Sequence, residues 1–104
     1  MIKARFLIDS GKTVGFIVSG HAGYAESGHD IVCAGVSASL MLTVNAITEN
    51  FGIRAECEDL GNEIRFTLVD LSIEAVKLIE AFRTNLEILS NEFSGTISIE
   101  NMEV

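Results

Sequence analysis

The sequence predicts one α+β domain in which two amphipathic helices pack on an antiparallel-rich sheet, in the order ββαββαβ. Three observations carry that expectation. Stretches of apolar–polar alternation occur in pairs joined by short glycine-containing turns. Two longer stretches carry apolar residues at spacings of three and four. The 104 residues contain no proline, and no internal repeat or low-complexity linker divides them. A chain of this length suffices for one core, so residues 1–104 are expected to form a single domain.

Residues 2–9 alternate, with Ile2, Ala4, Phe6 and Ile8 on one face and Lys3, Arg5 and Asp9 on the other. "DSGK" turns the chain into "TVGFIVS", completing a first hairpin. Residues 20–29 hold three glycines and no periodicity, which marks a loop. From residue 30 to about 50 the pattern is helical. Cys33, Ser37, Leu40, Val44, Ile47 and Phe51 form one stripe, and Val32, Val36, Met41 and Leu42 on the other faces make the helix largely buried. Gly52 is a natural stop. "IRAECE" places Ile53, Ala55 and Cys57 on one face, with Cys57 expected in the core. "DLGN" leads to "EIRFTLV", with Ile64, Phe66 and Leu68 inward, a second hairpin. Residues 72–90 carry Val76, Ile79, Phe82, Leu86 and Leu89 opposite Glu74, Lys77, Glu80 and Glu87, the pattern of an amphipathic helix. "TISIE" supplies a short last strand.

Composition narrows the function classes. Hydrophobic residues at 48% and charged residues at 21% are ordinary globular values. The uncharged run over residues 31–48 reaches the lower limit for a membrane span, but it contains Ser37, Ser39, Thr43 and Asn45 and lacks a basic flank, so a buried helix is expected. "MIKARFLIDSGK" has neither the apolar core nor the cleavage site of a signal peptide, which points to a cytoplasmic protein. Cys33 and Cys57 are then expected as thiols. A net charge of −8 opposes nucleic acid and anionic membrane and favours a basic partner.

The chemistry gathers between residues 20 and 37. Asp30 is a good N-cap, its carboxylate accepting from the amide of Cys33 or its neighbour. Cys33 then sits in the first helical turn, where unpaired amides and the helix dipole favour a thiolate. A histidine within reach completes an activated nucleophile, and both His21 and His29 qualify by chain distance. The same helix start can offer backbone amides to an oxyanion, with Gly35 permitting close approach. These are the parts of a cysteine hydrolase. Other readings of the same residues are a packed core Cys33, an Asp30 that only caps, and a Ser37 bonded back to its own helix. His21, His29, Asp30 and Cys33 include metal-ligand types but lack the paired short spacings of structural zinc sites. A redox sensor would need Cys57 as resolving thiol.

"GHA" at 20–22, followed by "GHDIVCAGVSA" at 28–38 and "VNAI" at 44–47, resembles the signature of the ribosomal-processing cysteine protease Prp family, and chain length and element order are similar too. The resemblance implies a cysteine endopeptidase that removes the N-terminal extension of the large-subunit ribosomal protein L27, after a short segment ending in an aromatic residue. It further implies a homodimer working without metal or cofactor. Carried onto this chain, Cys33 is the catalytic cysteine and His21 the catalytic histidine, while His29 is incidental. Asp30 and Ser37 are candidate supporting residues, Asp30 either capping the helix or orienting His21. Gly20, Gly23, Tyr24 and Gly28 belong to a loop expected to close over bound peptide. A basic ribosomal precursor suits the acidic charge. The alternative is a non-enzymatic ribosome-assembly or peptide-binding module on the same fold.

Overall fold

The computed structural model describes residues 1–20 and 30–104. Five strands, β1 (Ile2–Asp9), β2 (Lys12–Ser19), β3 (Ala55–Asp59), β4 (Glu63–Leu68) and β5 (Ile97–Glu103), form one sheet in the order β3-β4-β2-β1-β5. Helix α1 (Ile31–Asn45) follows β2 and runs into a π-helical turn, Ala46–Asn50, while α2 (Ile73–Glu92) follows β4. The order is ββαββαβ, as the alternation and periodicity predict. Both hairpins are antiparallel and β2 also pairs antiparallel with β4; only the β1–β5 pair is parallel. The last strand extends past "TISIE" because it follows β1 in register from Ile2↔Ile97 to Ile8↔Glu103.

Side chains at alternate strand positions face the two helices. Phe6, Phe16 and Phe66 from three adjacent strands share one cluster with Phe82 of α2, with Phe16 stacked on Phe66 at 5.2 Å and tilted against Phe82 at 4.8 Å between centroids. Each such pair adds about 0.5–1.5 kcal/mol beyond its buried area. Ser72 caps α2, its hydroxyl accepting from the Ala75 amide. In the apolar stripe of α2, Ile79, Phe82 and Leu86 are fully covered, Val76 and Leu89 half-buried, and Ala75 joins the core.

Three details depart from the sequence reading. A bulge between Leu7 and Ile8 shifts the alternation of β1, so Leu7 is buried and Ile8 only half-buried. The buried stripe of α1 is Val32, Val36, Leu40, Thr43 and Ile47; Cys33 and Val44 lie at its margin, and Ser37 and Phe51 are exposed. Met41 and Leu42 are 61% and 71% exposed, so α1 is covered on one side only and shows an apolar face, with Ile31, Ala34 and Ala38, to the outside. The helical segment Ile31–Asn50 is long and apolar enough to cross a membrane by length and composition, but one stripe of it is part of this core. Finally, Cys57 is exposed rather than buried. It has the parity of the helix-facing side, opposite Phe66, but β3 is an edge strand.

Candidate active site

The sequence Asp30-Ile31-Val32-Cys33 folds into a helix start because a short carboxylate precedes an uninterrupted run of helix-compatible residues. Asp30, with φ −77 and ψ 104, is the N-cap of α1. Its Oδ1 accepts from the amides of Val32 at 2.9 Å and Cys33 at 3.1 Å. The Ala34 amide donates to the Asp30 carbonyl at 3.1 Å, the first bond of the helix. Asp30 is 7% exposed, so this carboxylate is held inside the protein by the donors it satisfies. Its capping role is therefore a geometric fact.

The second carboxylate oxygen reaches Cys33. Cys33 Sγ donates to Asp30 Oδ2 at 3.4 Å, which orients the thiol from the third helical position. The cap also occupies the amides of Val32 and Cys33, so an oxyanion at this helix start must take its donors from other amides.

Cys33 is half-buried and opens onto a cleft of about 310 Å³. One wall is α1, with Cys33, Ser37 and Met41. Ile2, Val18, Val36 and Leu40 add apolar surface, and the facing wall comes from Gly61, Asn62, Glu63 and Ile64 at the β3–β4 hairpin. Ser19 and Gly20 lie where β2 ends. Gly20 adopts φ +87, and a Cβ there would stand 2.6 Å from the Met1 carbonyl, so a side chain at this position is excluded twice over.

Ser37 differs from the other hydroxyls of this helix. Ser39, Thr43 and Thr48 all donate back to carbonyls three or four residues earlier. Ser37, expected to do the same, forms no hydrogen bond among the described residues; it is exposed and lines the cleft. No disulfide joins Cys33 to Cys57. Partial desolvation of the sulfur, and secondarily the nearby Asp59 carboxylate, push the Cys57 thiol above its ordinary range, although the residue is exposed overall. His21, Gly23, Tyr24, Gly28 and His29 lie outside the described residues. The structure thus brings Cys33, Ser37 and Gly20 to one cleft, with the buried Asp30 hydrogen-bonded to Cys33. Sequence reasoning missed its facing wall, for which "GN" at 61–62 is only a turn signal.

The comparisons with known proteins agree with one another. A family model described as cysteine protease Prp matches residues 1–98. The ribosomal processing cysteine protease Prp of Staphylococcus aureus is 35% identical over 97 residues, 88% of this chain and 89% of that one. The crystal structure of an essential ribosomal processing protease Prp from S. aureus, in complex with a covalently linked product peptide, superposes with a TM-score of 0.90 at 32% identity, covering 98% of this chain and 100% of that one. SMU.848 from Streptococcus mutans is similar at a TM-score of 0.83 and 27% identity, covering 100% of this chain and 96% of that one.

Proposed function

This chain belongs to the cysteine protease Prp family, and from that premise we propose that it cleaves a ribosomal protein precursor through a Cys33–His21 pair. The observation that carries the reading is Cys33 itself: a thiol at the first turn of α1, oriented by Asp30 and opening onto a peptide-sized cleft. Cys33 Sγ attacks the scissile carbonyl, the C–N bond breaks, and the new N-terminus leaves with a proton from His21. Water, deprotonated by the same histidine, then hydrolyses the thioester and restores the thiol.

The substrate we infer is the N-terminal extension of the large-subunit ribosomal protein L27, cut after an aromatic residue. Ile2, Val18, Val36, Leu40, Met41 and Ile64 offer an apolar bed for such a side chain next to the nucleophile. The net charge of −8 favours encounter with a basic protein in the cytoplasm and opposes binding to nucleic acid or membrane. The relatives that support this reading include an S. aureus Prp in complex with a substrate peptide. The outward face of α1, apolar over Ile31, Ala34, Ala38 and Leu42, is the surface for a homodimer: a second copy of an acidic chain meets no carboxylate among them. Ser37 lines the cleft as a supporting residue. No metal or cofactor has a role in this chemistry.

Mass spectrometry tests the central step. Incubation with a peptide spanning the extension is expected to give two fragments and a transient acyl adduct on Cys33. An adduct elsewhere, or cleavage that survives Cys33→Ala, overturns the reading.

A further inference from the structure

The catalytic reading uses one wall of the cleft, the start of α1. The facing wall, at the end of the β3–β4 hairpin, is held in one shape by several independent contacts. The Leu60 amide donates to the Glu63 carbonyl at 2.8 Å and the Gly61 amide to Asp59 Oδ1 at 2.9 Å. Gly61 sits at φ +91, where only glycine is unstrained. The Glu63 carboxylate accepts from Arg65 at 2.6 Å and lies 3.8 Å from the Arg5 guanidinium, which ties the first residue of β4 to β1 across the intervening strand. The Asn62 carbonyl accepts from the Gly20 amide at 3.4 Å, so this hairpin end also touches the residue that precedes His21.

A wall that is already ordered loses little freedom when a ligand arrives. What a peptide crossing it needs is partners for its backbone N–H and C=O groups. Among the side chains on this wall, only the Asn62 carboxamide supplies donors and an acceptor together. It is exposed at the cleft, and no hydrogen bond among the described residues engages it. Glu63, by contrast, is engaged by its arginines, and Gly61 and Ile64 bring no polar side chain. We propose that Asn62 is a substrate-binding residue whose carboxamide pairs with the backbone of the peptide and fixes the scissile bond over Cys33. The inference rests on reading Cys33 as the nucleophile, because it takes this cleft as the peptide's seat.

Binding and cleavage are measured separately so that the two readings fail separately. With a fluorescent substrate-like peptide and a Cys33→Ala background, Asn62→Ala is expected to weaken binding about fivefold, the size of one net backbone hydrogen bond. In the otherwise wild-type enzyme the same change raises KM by a similar factor and leaves kcat within about twofold. Peptides N-methylated at one backbone nitrogen at a time supply the readout that a purely structural role would not move. One position should show a methylation penalty that disappears in Asn62→Ala. Alkylation of Cys33 by iodoacetamide, too small to span the cleft, should proceed at an unchanged rate. Unchanged peptide affinity in Asn62→Ala, a methylation penalty independent of Asn62 at every position, or a parallel loss of iodoacetamide labelling would each overturn the proposal. Cleavage that persists in Cys33→Ala would instead remove the catalytic reading beneath it.

Discussion

Asp30 joins two tasks that substitution can separate. Its carboxylate caps α1 through Val32 and Cys33 and also accepts from the Cys33 thiol. Replacement by alanine removes the cap, which ordinarily costs about 0.5–2 kcal/mol. Here the upper end is expected. The Val32 amide bond is buried, and a buried donor left without a partner costs about 1–3 kcal/mol. A loss of about 2 kcal/mol against a total of about 5–15 kcal/mol leaves the protein folded. With a urea slope of about 2 kcal/mol/M, the unfolding midpoint falls by about 1 M. Asparagine caps about as well as aspartate, so Asp30→Asn should stay within about 0.5 kcal/mol of wild type. The pair of variants then isolates the carboxylate's charge. If Asp30 acts only as a cap, Asp30→Asn cleaves peptide at near wild-type kcat; if its second oxygen matters, by accepting from the Cys33 thiol where asparagine would present a donor or by orienting His21, kcat falls while stability holds. Urea unfolding followed by circular dichroism checks the energetics. A midpoint unchanged in Asp30→Ala, or lowered equally in Asp30→Asn, would refute the capping argument.

Four further outcomes are expected. Cys33→Ala and His21→Ala are expected to abolish cleavage, whereas Cys57→Ala and His29→Ala should leave it largely in place, with peptide turnover followed by chromatography; inactivity of His29→Ala would make His29 the partner of the thiol instead of His21. Cys57, although exposed, should label slowly at neutral pH because partial desolvation of its sulfur and the Asp59 charge hold its proton on, and Asp59→Asn should speed that labelling, most at low ionic strength. Leu42→Glu should convert a dimer to monomers in sedimentation while changing the stability of the subunit by less than about 0.5 kcal/mol, since the side chain is 71% exposed. Treatment with a chelator should leave turnover unchanged; loss of activity restored by zinc would promote a metal site instead.

Much of this fold is legible in the sequence because its signals are local. Alternation in residues 2–9 and 63–68, turns at "DSGK" and "DLGN", and the three–four spacing of Ile79, Phe82 and Leu86 each report one element's own buried face. Where burial depends on a neighbour, the signal weakens. The run over 31–47 is apolar on every side, so more than one stripe fits a period of 3.6, and only packing against the sheet selects Val32, Val36 and Leu40 over Cys33 and Ser37. Cys57 has the parity of a core residue, but an edge strand leaves it uncovered. Ile8 lost its predicted place to a bulge that no turn residue announces.

The site divides along the same line. A helix cap and the residue three positions later are chemistry written in consecutive letters, because the backbone of one turn brings Asp30 and Cys33 together without help from the rest of the chain. The cleft is different. Its facing wall arrives from residues 61–64 by way of β4 pairing with β2, which leads into Gly20. Nothing in "GNEI" identifies a binding surface until that pairing lays it across from α1. Recognition of a candidate nucleophile can therefore proceed from a motif, whereas the cleft proposed to hold the peptide is a tertiary property. Substitutions around Cys33 are expected to change whether the bond is broken; substitutions at the hairpin are expected to change which peptides are held long enough for that to happen.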